Sequence, residues 1–148
     1  SHGARGDTRQ LNRLLGAEYY AIAAYTAAVP LLSGSVAAAA KQFLGQELLH
    51  ADRLISLIER AGGAPERALP SYHLGRPNRP EAVLALLLLV ERVQVNAYLR
   101  AVPALSLGSL QATAASILAT QAQHASVWRL HMGRRPAPSA FVSGTEIT

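Results

Sequence analysis

The segment GQELLH at residues 45–50 decides the fold prediction, because it sets a carboxylate and an imidazole three residues apart. On a helix, residues three and four positions apart lie on the same face, so Glu47 and His50 share one face. Phe43 and Leu54 continue that face with apolar side chains. The spacing therefore predicts a core-facing helical stripe that is interrupted by polar residues able to bind a metal ion.

Three further stretches repeat this pattern. Glu18 interrupts the apolar stripe of the first, Glu91 that of the third, and Gln121 and His124 that of the fourth. A buried carboxylate without a partner shifts its pKa or destabilises the fold. No Lys or Arg lies on these stripes to pair with the carboxylates. Because carboxylate oxygen and neutral imidazole nitrogen suit iron, manganese and zinc, we predict that bound metal ions neutralise the cluster.

Turn signals divide the chain into four helices. Asp7 and Gln10 have the spacing of a capping box, Ser35 is the expected N-cap of the second helix, and Pro80 suits a first helical turn. Two short connections and one long connection predict an all-α four-helix bundle, in which two helical hairpins are joined by a crossover. We expect helices near residues 7–29, 35–62, 80–102 and 106–133, with the crossover over 64–79.

The ends of the chain are expected to lie outside the bundle. Ser1 and His2 look like a tag remnant, so residues 1–6 are predicted to be disordered, residues 7–134 to form the bundle, and the Pro-bearing residues 135–148 to form a tail. No initiator Met follows the remnant, which favours a trimmed leader and an exported or periplasmic protein over a cytoplasmic one.

The two halves of the chain resemble each other at a nearly constant offset. The repeat predicts two related hairpins packed about a pseudo-two-fold axis. Tyr25 and Tyr98 lie two turns beyond a glutamate of their own helix, and their hydroxyl groups either hydrogen-bond a neighbour within the core or support a metal ligand from behind. The matched pairs are Glu18 with Glu91, Tyr25 with Tyr98, Glu47 with Gln121, and His50 with His124.

Composition excludes several classes of protein. The 148 residues make one domain of 15.7 kDa. The chain contains no cysteine, which excludes a disulfide scaffold, a thiolate metal site and a cysteine nucleophile. The net charge of +5 comes from scattered arginines without interleaved aromatic residues, so no nucleic-acid partner is expected. The longest apolar run, residues 82–90, is too short to predict a membrane span.

These segments resemble the ferritin-like superfamily over nearly the whole chain. Its di-metal bundles take a Glu from each of two helices and a Glu-x-x-His pair from each of the other two. More narrowly, the helices that carry Tyr98 and His124, with the Pro–Phe tail, resemble bacterial ferritin-like proteins related to plant desiccation-related proteins. The resemblance implies one or two iron ions, or manganese or zinc, and reaction with dioxygen or peroxide. The segments that carry it are LGAEYY at 15–20, GQELLH at 45–50, LVE at 89–91 and QAQH at 121–124.

Gln121 departs from the family pattern, because the resemblance expects a metal-bridging Glu there. An amide oxygen is a weaker ligand, so Gln121 is either a weak ligand or no ligand. Three functions stay open: a di-iron oxidase or ferroxidase-like enzyme acting on ferrous iron or an organic substrate, a metal-binding module without catalysis, and a helical structural or interaction domain with an incomplete or lost metal site. A homodimer is compatible with each of them.

Overall fold

The computed structural model describes residues 2–146, and its regular structure over that range is helical. A short 3-10 turn over Val29–Leu31 follows the first helix. The all-α prediction is confirmed, and most helix ends lie within a few residues of the expected positions. The helices are α1 (His2–Ala28), α2 (Gly34–Arg60), α3 (Pro80–Ala104) and α4 (Gly108–His131).

The start of the chain differs from the sequence prediction. Of the segment predicted to be disordered, Ser1 lies outside the described residues and residues 2–6 belong to α1, which begins at His2. Asp7 therefore lies inside the helix rather than at its N-cap. Its buried carboxylate instead accepts hydrogen bonds from the backbone N of Ser106, at 2.7 Å, and from the Ser106 hydroxyl, at 2.6 Å. Ser35 is not an N-cap either, because α2 begins one residue earlier. Asp7 ties α1 to the turn before α4, a contact that local sequence could not reveal.

The apolar core of the described residues consists of two large clusters, one toward each end of the bundle, and a small third cluster of Ala21, Ala24 and Val90. The first cluster contains Leu11 of α1, Leu54 of α2, Tyr98 of α3 and Ile117 of α4. The second is built from the opposite half of each helix. It follows that α1 runs antiparallel to α2 and α3, that α3 runs antiparallel to α4, and that the polar residues of the stripes occupy the layer between the clusters.

The crossover, residues 61–79, must connect opposite ends of the bundle, because α2 ends beside the first cluster and α3 begins beside the second. It packs along the outside of α1. The side chain of Asn12 donates to the carbonyl of Ala64, at 3.0 Å, and accepts from the backbone N of Glu66, at 2.8 Å. This full-length connection is why one linker is long while the other two are short.

The C-terminal segment, residues 132–146, carries no helix or strand but is docked on α3 and α4. Arg92 Nε donates to the carbonyl of Gly144 at 3.2 Å, and Asn96 Nδ2 donates to that of Ser143 at 3.3 Å. Gly144 has φ +79°, and a Cβ there would lie 2.4 Å from the Arg92 carbonyl oxygen. Only glycine allows the segment to approach α3 this closely.

Helix α3 is apolar enough, over 25 residues, to qualify as a membrane span by length and composition, which the run at 82–90 did not predict. In the bundle, half of the most apolar 18-residue stretch of this helix is buried. The helix also carries Glu91 at its centre, completely buried. A helix that packs on two neighbours needs this composition to form a core.

We predict that Asp7→Ala lowers the free energy of unfolding by about 1–3 kcal/mol, because the two hydrogen bonds that Ser106 donates to a buried, charged acceptor are lost. Urea denaturation measures the difference. The control is Asp52→Ala, whose side chain is exposed on α2 and whose removal is expected to change stability by no more than about 0.5 kcal/mol. Equal stability of the two variants would contradict a structural role for Asp7.

Candidate metal centre

Each of the four helices brings a polar side chain to the layer between the apolar clusters. All of these side chains except that of His50 are buried within the bundle. The side chain of His50 keeps 13% of its surface exposed, whereas that of His124 keeps 2%. The residues that meet there are Glu18, Glu47, His50, Glu91, Gln121 and His124. Sequence periodicity had predicted every member of this group.

Glu18, Glu47 and His50 form one group of candidate ligands. Their closest ligand atoms all lie within 4.8 Å of one another. His50 Nδ1 is 3.2 Å from Glu47 Oε2 and 3.6 Å from Glu18 Oε1. This is a spacing at which one cation can contact two carboxylates and one imidazole.

Glu47, Glu91 and His124 form a second group with the same composition and the same 4.8 Å limit. His124 Nδ1 is 3.2 Å from Glu47 Oε1 and 3.3 Å from Glu91 Oε1. Glu47 therefore belongs to both groups, with one carboxylate oxygen toward each histidine. Two adjacent cations joined by this carboxylate fit the arrangement.

The two tyrosines reach across the bundle rather than along their own helices. Tyr25 donates to Glu91 Oε1 at 2.7 Å, and Tyr98 donates to Glu18 Oε1. Each hairpin therefore holds the glutamate of the other hairpin, as the pseudo-two-fold repeat requires. Trp128 Nε1 extends one side of the network by donating to the Tyr25 hydroxyl at 2.7 Å.

Sequence reasoning missed the groups that orient His124. Its Nε2 lies 2.6 Å from Gln46 Oε1, and the Phe43 ring stacks on the imidazole with centroids 3.9 Å apart. An imidazole whose second nitrogen is held by a carbonyl oxygen presents the first nitrogen in a fixed direction. The position of Gln46 beside Glu47 gave no periodic signal, because it lies off the core stripe.

Gln121 occupies the position of the absent fourth carboxylate. Its Nε2 donates to Glu47 Oε2 at 2.8 Å and to Glu18 Oε1 at 3.2 Å. Its Oε1 is buried without a hydrogen-bond partner among residues 2–146. Gln121 thus faces the carboxylates. In this arrangement its amide donates hydrogen bonds to them and does not present an oxygen atom as a metal ligand.

Burial of three carboxylates together shifts their pKa values apart. Burial raises the pKa of Glu18 well above 4.5, and burial together with the charge of Glu47 raises that of Glu91 to about 8. Burial also opposes ionisation of Glu47, but hydrogen bonds with His124 and His50 hold its pKa far below the usual range. The same carboxylates outweigh the effect of burial on the two imidazoles and raise the pKa of each to about 9. Without metal, bound protons compensate the negative charge of the carboxylates.

The donor set fits a pair of divalent cations. Within residues 2–146, Glu18 Oε2 and Glu91 Oε2 are buried and accept no hydrogen bond. Such orphaned acceptors are costly in an apolar interior and rare in proteins. A cation beside each outer glutamate would satisfy these oxygens and replace the protons that the histidines carry.

Comparison with known proteins agrees with this architecture. The ferritin-like domain family matches residues 6–134, and the chain belongs to that family. A conserved hypothetical protein, rv2844, from Mycobacterium tuberculosis has a crystal structure similar to this chain, with a TM-score of 0.83 and 21% identity over 93% of this chain and 97% of that one. A ferritin-like diiron-carboxylate protein from Bacillus anthracis gives a TM-score of 0.79 and 19% identity over 89% of this chain and 99% of that one. No curated protein matches the sequence.

We predict that the melting temperature of the metal-free protein falls as the pH rises from about 6 to about 9. A group whose pKa is raised by folding stabilises the native state below its unfolded pKa, and this contribution is lost as the pH rises through the folded pKa. For Glu91 the loss spans 4.5 to about 8, and for His50 and His124 it spans 6.5 to about 9.

Thermal melts in the presence of a chelator measure this slope. The control is Glu91→Gln, which mimics the protonated carboxyl group and removes one titrating site. The variant is expected to show a shallower decline than the unmodified chain. A melting temperature that stays constant or rises over this pH range would contradict the compensation of the carboxylates by bound protons.

Proposed function

We propose that this chain binds two divalent metal ions, with iron the expected metal, and that it uses them with dioxygen or peroxide to oxidise ferrous iron or a small organic substrate. The observation that carries the proposal is the division of Glu47 between two ligand groups, one oxygen toward His50 and the other toward His124. The description of the Bacillus anthracis structure as a diiron-carboxylate protein supports the choice of metal.

The ligand chemistry also supports iron, manganese or zinc over the alternatives. Carboxylate and imidazole ligands without thiolates are typical of these three metals. Bound ferrous ions would supply the electrons for reduction of dioxygen or peroxide. Two divalent ions carry four positive charges, and three ionised carboxylates balance only three of them. Because Gln121 adds no negative charge, it is expected to weaken the binding of one ion.

The remaining residues would hold the ligands and exclude water. Hydrogen bonds from Tyr25 and Tyr98 restrain one oxygen of Glu91 and one oxygen of Glu18. The second oxygen of each glutamate is left for a cation. The apolar clusters on both sides lower the local dielectric, which strengthens each charge interaction inside the layer.

Access from solvent is expected at His50, the partly exposed ligand. A surface depression of about 460 Å³ lies beside it, between α2 and α4, where these two helices make few contacts. Thr113, Ser116 and Thr120 line its α4 wall. These hydroxyl groups offer oxygen atoms to a hydrated cation or to a polar substrate on the way to His50.

A helical structural or interaction domain without metal is the second candidate, and one contact favours it. The Gln121 amide donates hydrogen bonds to two of the carboxylates and so stabilises part of the negative charge that a cation would otherwise balance. Against this reading, the network leaves buried oxygens of both outer glutamates without partners among the described residues. Metal content separates the two candidates directly.

We predict that the protein binds two metal ions per chain and that Glu47→Gln impairs binding of both, because Glu47 is shared. Glu18→Gln and Glu91→Gln are each expected to impair one ion. Elemental analysis and ferrous-ion titration under anaerobic conditions measure occupancy. Near-ultraviolet absorption after admission of oxygen measures oxidation.

The matched control is Glu59→Gln, an exposed carboxylate on the same helix as Glu47. It is expected to bind and oxidise as the unmodified chain does. A ligand at a hundredfold excess over its Kd adds about 2.7 kcal/mol of stability, so thermal melts with metal provide an independent readout. Absence of bound metal, together with an unchanged melting temperature, would favour the structural domain.

We predict opposite effects of Gln121→Glu on the two forms of the protein. In the metal-free form the new carboxylate loses two donated hydrogen bonds and adds negative charge, so the melting temperature falls. In the metal-bound form it supplies the fourth carboxylate, so affinity for the second ion rises. Calorimetric titration and thermal melts test both effects, and an unchanged affinity would contradict the idea that Gln121 limits binding of the second ion.

A further inference from the structure

A second enclosed space lies away from the metal centre, beneath the docked C-terminal segment. This cavity of about 80 Å³ is bounded by α3 and α4 on one side and by residues 136–146 on the other. It contains none of the candidate metal ligands. Because about 10–15 Å³ of such space suffices for one water molecule, the cavity can hold several waters or one small ion.

Arg129 lines this cavity, and the charge of its guanidinium is poorly compensated. Arg129 is only 6% exposed. Its one ion pair is with Glu146, at 3.9 Å between Nη2 and Oε2, and within residues 2–146 its Nε has no hydrogen-bond partner. A buried charge with an unsatisfied donor is costly, and structures normally provide it with an anion or a close hydrogen-bond acceptor.

Positive charge also exceeds negative charge around the cavity. Arg92 lies in its wall, and the charge of Arg134 also acts on Arg129. Burial lowers the pKa of Arg129, and the two neighbouring cations act in the same direction, while the charge of Glu146 opposes them. Glu146 is the carboxylate that lines the cavity, and it is already engaged by the backbone N of Ser143 at 2.6 Å. One carboxylate at the limit of ion-pair distance leaves Arg129 able to accept a second, closer anion.

The walls supply neutral hydrogen-bonding groups for such an anion. Ser126 of α4 lines the cavity beside Arg92 and Arg129, and so does Ser139 of the C-terminal segment, whose hydroxyl also donates to the carbonyl of Phe141 at 3.0 Å. Guanidinium groups bind oxyanions through two parallel N–H···O hydrogen bonds, and hydroxyl groups complete the shell. The combination suits a tetrahedral or planar oxyanion and offers little to a neutral apolar molecule.

We propose that this cavity is a binding site for a small oxyanion, held by Arg129 and Arg92, and that Glu146 is the internal carboxylate with which the ligand competes. The shared chemistry is an oxygen-based anion, which either a phosphate or a small carboxylate supplies. The site is independent of the proposed metal chemistry, because its residues belong to the outer faces of α3 and α4 and to the C-terminal segment.

Calorimetric titration of the full chain with inorganic phosphate, and in a parallel arm with acetate, tests the proposal at constant ionic strength. We expect one site per chain. Arg129→Gln is expected to weaken binding about tenfold or more, because it removes a charged hydrogen-bond donor. Glu146→Gln is expected to tighten binding several-fold, because it removes the competing charge. Arg100→Gln, which removes an exposed charge from α3, is expected to leave binding unchanged.

Arg129→Lys retains the charge but not the planar guanidinium, and it serves where Arg129→Gln does not fold. Weaker binding to Arg129→Lys than to the unmodified chain supports the site. Binding of neither anion would overturn the proposal, as would equal affinities for the unmodified chain, Arg129→Gln and Arg100→Gln. An unchanged or weaker affinity for Glu146→Gln would overturn the competition. Phosphate binding that disappears when metal ions are removed would assign it to the metal centre and overturn the site.

Discussion

The burial of three carboxylates in the middle of an apolar bundle is the constraint on which the rest of this structure depends. Glu18, Glu47 and Glu91 are fully buried, and no lysine or arginine side chain pairs with them among residues 2–146. An isolated buried carboxylate is strongly unfavourable, so the surrounding residues must compensate for the charge. Two imidazoles, two tyrosine hydroxyls and one amide do so in the metal-free protein, and the two imidazoles and the two tyrosines come from equivalent positions of the repeated hairpin.

The compensating hydrogen bonds also join the two halves of the bundle, because they run between the repeated hairpins. Tyr25 of the first hairpin binds Glu91 of the second, and Tyr98 binds Glu18 in return. The two hairpins differ at one matched position. Glu47 contacts both histidines, whereas its counterpart Gln121 donates hydrogen bonds to the carboxylates. The centre is therefore asymmetric in charge although its two tyrosine–glutamate contacts are equivalent.

The parts that lie outside the helices complete the packing. The crossover runs the length of the bundle because α2 and α3 are parallel, so that α2 ends beside the first cluster and α3 begins beside the second. The C-terminal segment covers the outer groove between α3 and α4, and Gly144 permits its close approach to Arg92. By covering this groove, the segment buries Arg129 and forms one wall of the second cavity.

Helical periodicity is a local property, so the spacing of residues was enough to predict the four helices, their polar stripes and the six residues that meet between the apolar clusters. The internal repeat likewise matched Glu18 with Glu91 and Tyr25 with Tyr98. The packing of the helices was needed to show that Glu47 is the shared carboxylate, that the tyrosines cross between hairpins, that Gln46 orients His124, and that Asp7 binds Ser106 instead of capping α1. These contacts depend on the rotation and axial register of one helix against another, and no spacing within a single helix records them.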